Sequence, residues 1–136
     1  MSIGSGGGAY TKSTLQLGGI IPAGATWVIG GPNSDSGNGN PVYDLAFDFN
    51  PDLQNSGSVA DAVALFDVPA SSITALTVPI DAVIFGTTNS DGLLDETGVG
   101  NTPEVGDAPA GSSVERTNLG GAWQIQASPD PNNITF

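Results

Sequence analysis

Residues 42–49, VYDLAFDF, alternate strictly: Tyr43, Leu45, Phe47 and Phe49 fall on one side, and Asp44 and Asp48 on the other. A period of two marks a pleated strand with one dry and one wet face. Helical periodicity is nearly absent from the chain. Gly 20 and Pro 10 in 136 residues break any long helix and favour short strands joined by tight turns. The other apolar runs read the same way. They lie at residues 10–17, 26–30, 59–66, 73–78, 80–85, 112–117 and 122–127, which makes about eight short strands. Residues 59–66, VADAVALF, are apolar on both faces except for Asp61, the pattern of a central strand. Pro79, which cannot donate to a ladder, separates two of the runs and suits an edge or bulge. The expected class is all-β, an antiparallel sandwich or barrel of one domain.

Charge narrows the function. Lys12 and Arg116 are the only basic residues against 14 acidic ones, a net charge of −12. Nucleic-acid binding draws its affinity from Lys and Arg displacing counterions, so a nucleic-acid partner is excluded. No apolar run approaches the roughly 20 residues of a membrane span, so no membrane insertion is expected. Cysteine and histidine are absent, which removes disulfides, thiolate chemistry and histidine acid–base catalysis. No carboxylate pair stands out from the acidic background and no base accompanies the serines, so the chain reads as no enzyme. The composition suggests a bacterial protein at the cell surface or outside the cell, although residues 1–8 lack the basic start and apolar core of a secretory leader.

Two loops invite closer reading. Residues 87–98, TTNSDGLLDETG, place Asn89, Asp91 and Asp95 at positions three, five and nine of a calcium-loop pattern, with Gly92 at six. Thr87 and Gly98 stand where that pattern wants its first and last acids. Two readings are open: a Ca2+ site on Asn89, Asp91 and Asp95, or an Asx-rich turn. Residues 33–40, NSDSGNGN, read as a flexible connection. Trp27, Trp123, Tyr43 and Phe47 read as core, with a binding platform as the other reading. Arg116 reads as one half of an ion pair with a nearby Asp, or as a contact to a partner.

In chain order, IIPAGATWVIGG (20–31), LQNSGSVADAVALFD (53–67), PIDAVIFG (79–86), GSSVERT (111–117) and WQIQASPDPNN (123–133) resemble the motifs of the lamin-tail domain family. Phe85 stands for the family's tyrosine and Val114 for its leucine. The resemblance implies an immunoglobulin-like β-sandwich over residues 10–136; the glycine-rich residues 1–9 before it read as an arm that is flexible or ordered by a partner. The family's first two strands have no counterpart here. A sandwich short of strands exposes core side chains and an unpaired row of N–H and C=O groups. Residues 10–17 fill the gap, a partner donates a strand, or copies of the chain complete one another.

The expected function is a non-catalytic structural module, of filament or adhesion type, that forms a homo-oligomer or polymer by strand pairing between subunits. The contact residues would be Tyr10, Lys12, Leu15, Leu17, Arg116, Ile134 and Phe136, with residues 1–17 or 132–136 as the donated segment. The alternative is a calcium-linked module that binds carbohydrate or another ligand.

Overall fold

The computed structural model describes residues 1–53, 55 and 58–133. The fold is all-β, 26% strand against 5% helix, the helix being short 3-10 turns at Ser36–Asn38 and Ala70–Ser72. The chain divides into two compact units. Unit 1 is Met1–Gly18 with Asn50–Asp107; unit 2 is Gly19–Phe49 with Ala108–Phe136.

Unit 1 is built on a four-stranded antiparallel sheet. Its strands are β1 (Ser2–Gly6), β2 (Ser13–Gln16), β5 (Asp61–Phe66) and β6 (Asp81–Phe85), in the order β2-β1-β5-β6. β5 is central, as its two apolar faces predict. On one face Ala62, Ala64 and Phe66 of β5 and Ala82 and Ile84 of β6 are buried, joined by Tyr10, Ile73 and Leu93. On the other, Val63, Leu65 and Val83 are half-buried beside Ile3 and Leu15.

The expectation of a flexible or partner-ordered arm at residues 1–9 is corrected. β1 has neighbours on both sides, Ile3 lying opposite both Leu15 and Leu65. The reason is steric. Ser2, Gly4 and Gly6 stand opposite Phe66, Ala64 and Ala62, so the strand is nearly bare on its core face. Tyr10 lies over that bare face, its ring 5.3 Å from that of Phe66 and nearly edge-on at 73°. The Tyr10 hydroxyl donates to the Leu94 carbonyl at 2.7 Å. Glycine at position 4 is required, since a Cβ there would stand 2.5 Å from the Tyr10 carbonyl oxygen. Gly6 combines φ +152 with an Ala9 carbonyl pressed against it, closing the turn that brings Tyr10 over. Each large apolar side chain so buried contributes about 1.5–3 kcal/mol, and an edge-to-face ring pair about 0.5–1.5 kcal/mol more.

The two edges of this sheet differ. β6 is covered by the segment at Glu104 and Val105: Gly86 N–H donates to the Val105 carbonyl at 3.0 Å and Glu104 N–H to the Ile84 carbonyl at 2.9 Å. β2 has no strand beyond it among the described residues. Residues 73–78, expected as a strand, instead leave the second 3-10 turn and close on themselves, Thr74 N–H donating to the Thr77 hydroxyl at 2.9 Å.

Unit 2 holds two small sheets. β3 (Ile29–Gly30) and β4 (Leu45–Ala46) pair in parallel over two residues each. β7 (Ser113–Arg116) and β8 (Trp123–Gln126) form an antiparallel pair with Val114 opposite Ile125 and Arg116 opposite Trp123. The alternation at residues 42–49 survives in burial: Phe49 is buried, Tyr43, Leu45 and Phe47 are half-buried, and Val42, Asp44, Ala46 and Asp48 are exposed. Leu45 and Ala46 pair as strand, and the backbone on either side reaches the same neighbour: Asp44 N–H donates to the Val28 carbonyl at 2.8 Å and Phe47 N–H to the Gly30 carbonyl at 2.9 Å. Val42 N–H goes to the Asn132 side chain at 2.7 Å, and the Asp44 carboxylate accepts from Val28 N–H at 2.8 Å. Residues 33–40 are held by a capping box, Asp35 accepting from Gly37 N–H while its own N–H donates to Asn38, and not left as a loose connection.

Candidate functional site

The loop read as a calcium candidate is stapled by its own side chains. Asn89 donates to the Leu93 carbonyl at 2.9 Å and the Asn101 carbonyl at 2.8 Å, and accepts from Leu93 N–H at 2.9 Å. Asp95, nearly buried, accepts from Thr97 N–H at 2.8 Å, the Thr97 hydroxyl at 2.6 Å, Val99 N–H at 3.3 Å and the Asn101 amide at 2.6 Å. Burial would raise the Asp95 carboxyl; the hydrogen bonds from Thr97, Asn101 and Val99 outweigh it and hold the group below the usual carboxylate range. Four N–H or O–H donors aimed at one carboxylate are the environment of an anion-centred turn, the opposite of the oxygen cage a cation needs. Asp91 is exposed. Among the described residues no group of three or more acidic, cysteine or histidine side chains is placed to hold a metal ion. Asn101 and Thr97, which complete the Asp95 turn, were not legible as its partners, since they follow it without any pattern of their own.

The candidate contact residues scatter. Tyr10 is core; burial, and then the charges of Glu104, Asp95 and Glu96, push its phenol well above the usual tyrosine range. Lys12 is exposed, and Leu15 and Leu17 are half-buried in or beside β2. Residues 1–17 therefore form a hairpin inside unit 1, with Leu17 N–H donating to the Met1 carbonyl at 3.1 Å. Read as a donated segment, they are already spent: β1 has no open edge. Ile134 and Phe136 lie outside the described residues.

Arg116 sits in unit 2 on one face of the β7–β8 pair. Its guanidinium lies 4.4 Å from the centre of the Trp123 ring, a cation–π contact. Val114 and Ile125 share that face by register. The Trp123 indole N–H is buried there without an acceptor among the described residues. On the opposite face stand Ser113, Glu115, Gln124 and Gln126. Gln124 donates to Glu115 at 3.2 Å and Gln126 to Asp130 at 2.8 Å. Ser113, Glu115 and Gln126 of this face, with Asn38, Val114, Pro129, Asp130 and Pro131, line a cavity of about 280 Å3.

Burial is unevenly shared. Of the described buried hydrophobic residues, unit 2 contributes Phe49 alone; Tyr10, Ala60, Ala62, Ala64, Phe66, Ile73, Ala82, Ile84 and Leu93 all belong to unit 1. In unit 2, Ile20, Ile21, Val42, Leu119 and Ile125 are exposed. A pair of strands alone is marginal in water, and a third strand or a packed face is needed for independent stability. Unit 2 combines two such pairs, and among its described residues Phe49 is buried while Trp27, Ile29, Tyr43, Leu45, Phe47 and Trp123 are only half-buried.

Comparison with known protein families, characterised proteins and solved structures finds no match. No helix among the described residues is long and apolar enough to cross a membrane.

Proposed function

We propose that this chain is a non-catalytic structural module that assembles by strand pairing between polypeptides, with unit 1 as its stable half and unit 2 as the half that receives a strand. The observation that carries the reading is the distribution of the core: Phe49 is the one buried hydrophobic side chain of unit 2 among the described residues. Among the described residues its two sheets are two-stranded, so each ends in open edges, and a buried indole N–H lacks an acceptor. An incoming strand supplies backbone partners along an edge and apolar side chains for a face, which is what β-strand addition does. A self-sufficient domain would leave neither need. The lamin-tail resemblance supports the same reading, since the motifs of that family's first two strands are not matched within these residues. The resemblance supports an immunoglobulin-like sandwich, and the Lys-poor, acidic composition supports an extracellular or surface setting.

Hydrogen exchange on the dilute, unliganded chain tests this. Amides of β3, β4, β7 and β8 should exchange at least about a hundredfold faster than those of β1 and β5, because local opening costs little where little is buried. Equal protection in the two units would overturn the proposal, since unit 2 would then need nothing added.

A further inference from the structure

The pair β7–β8 is where the charge and shape of unit 2 limit what can be added. A strand laid along an open edge of this pair turns alternate side chains to its two faces. One set meets the face of Trp123 and Ile125; the other meets the cavity bordered by Val114, Glu115 and Asp130. We propose that the segment completing unit 2 is a basic, extended stretch of a different polypeptide, apolar at alternate positions, with a lysine or arginine entering that cavity. This rests on the assembly reading above and adds the partner's chemistry to it.

Three observations select that partner. Glu115 and Asp130 each give one oxygen to a glutamine amide, and the second oxygen of each accepts nothing among the described residues. A cation placed between them meets acceptors already oriented. The cavity, about 280 Å3, is at the small end of ligand sites, which run from roughly 300 to 1,000 Å3, and holds one long side chain. Pro129 and Pro131 give it the flat apolar walls that suit the stem of a lysine or arginine.

The third observation excludes a second copy. Unit 2 carries Asp35, Asp44, Asp48, Glu115 and Asp130 against Arg116. Another copy brings the same net −12 and offers Lys12 and Arg116 as its only cations. Lys12 stands outside β2, and Arg116 is stacked on Trp123 in the very pair that must be completed. Copies therefore repel and have no cation on a free strand to donate, whereas a basic strand is drawn in by the field of the whole chain.

The test uses the full chain and three synthetic peptides of about seven residues, one strand's length, with valine alternating with lysine, serine or glutamate. Affinity is read by tryptophan fluorescence and location by hydrogen exchange. The lysine peptide should bind at least about tenfold tighter than the serine one, as two charge contacts of ordinary strength allow, and the glutamate peptide should not bind. Protection should be confined to unit 2. Glu115→Gln and Asp130→Asn should each weaken the lysine peptide about two- to fivefold while leaving the melting temperature unchanged. Protection spread over unit 1, or no effect of the two substitutions, would mean bulk charge attraction and overturn the inference. Equal binding of the serine peptide, or the same protection from self-association, would overturn it while leaving the assembly reading intact. If unit 2 is already protected in the free chain, both fall together.

Discussion

Replacing Gly4 by alanine tests the most unexpected feature of unit 1, the use of its glycine-rich opening as an inner strand. At a glycine whose backbone suits any residue, alanine adds about 0.4–1 kcal/mol by restricting the unfolded chain. Gly4 has no left-handed φ to protect, so that gain would apply. The structure opposes it with contact. The new Cβ would meet the Tyr10 carbonyl oxygen at 2.5 Å and the Phe66 ring and Tyr10 Cβ at 3.1 Å each. The nearest of these is backbone, which cannot rotate away, so either β1 shifts in its ladder or Tyr10 lifts from the core. Overpacking of this kind costs about 1–3 kcal/mol, and the net loss after the entropic gain is about 1–2 kcal/mol. In a chain of this size that lowers the melting temperature by roughly 3–10 °C. Urea unfolding followed by near-ultraviolet circular dichroism reads the change as a lower midpoint at constant slope. Gly18→Ala and Gly106→Ala are the controls: a Cβ at either position meets nothing within 4 Å, so both should stay within about 0.5 kcal/mol of the parent. A Gly4→Ala chain as stable as the parent, or more stable, would refute the packing of residues 1–10 described above.

Tyr10→Phe removes the hydrogen bond to the Leu94 carbonyl and keeps the ring against Phe66, so it should cost about 0.5–1.5 kcal/mol in urea unfolding. The Asp95 carboxyl is held below its unfolded value of about 3.9, so its contribution is present above that pH and lost as pH falls through the lower folded value. Asp95→Asn should flatten the fall of the urea midpoint between about pH 5 and pH 3, and an unchanged slope would contradict the hydrogen-bonded turn. Calcium should leave the melting temperature of parent and Asp95→Asn alike unchanged in a chelator titration, since Asp95 is already committed to four donors. Arg116→Leu should shift the Trp123 emission and cost about 0.5–1 kcal/mol.

What the sequence made legible, and what it hid, divides along physical lines. Where strand identity is written in side-chain alternation, the reading from residues and the fold agree: β5 is central, and β6, β7 and β8 lie within the expected runs. Where it depends on what is missing, the reading fails. MSIGSGGGAY looks like a flexible tether because small residues carry no pattern and glycine is costly to order. Its smallness is what admits it to the sheet, because Ser2, Gly4 and Gly6 leave room for a tyrosine that is itself four or more residues away. No local signal carries that, since the contact that orders the strand is made by the turn returning over it. The Asn89–Asp95 loop is ambiguous for a different reason. Its oxygen-rich spacing is shared by cation cages and by Asx turns, and only the direction of the surrounding N–H groups separates them. In unit 2, alternation at residues 42–49 predicts correctly which side chains are sheltered, yet only Leu45 and Ala46 pair. Alternation reports which side chains are sheltered, whereas strand pairing depends on where the backbone N–H and C=O groups of residues distant in the chain fall, and the sequence pattern does not carry that second quantity.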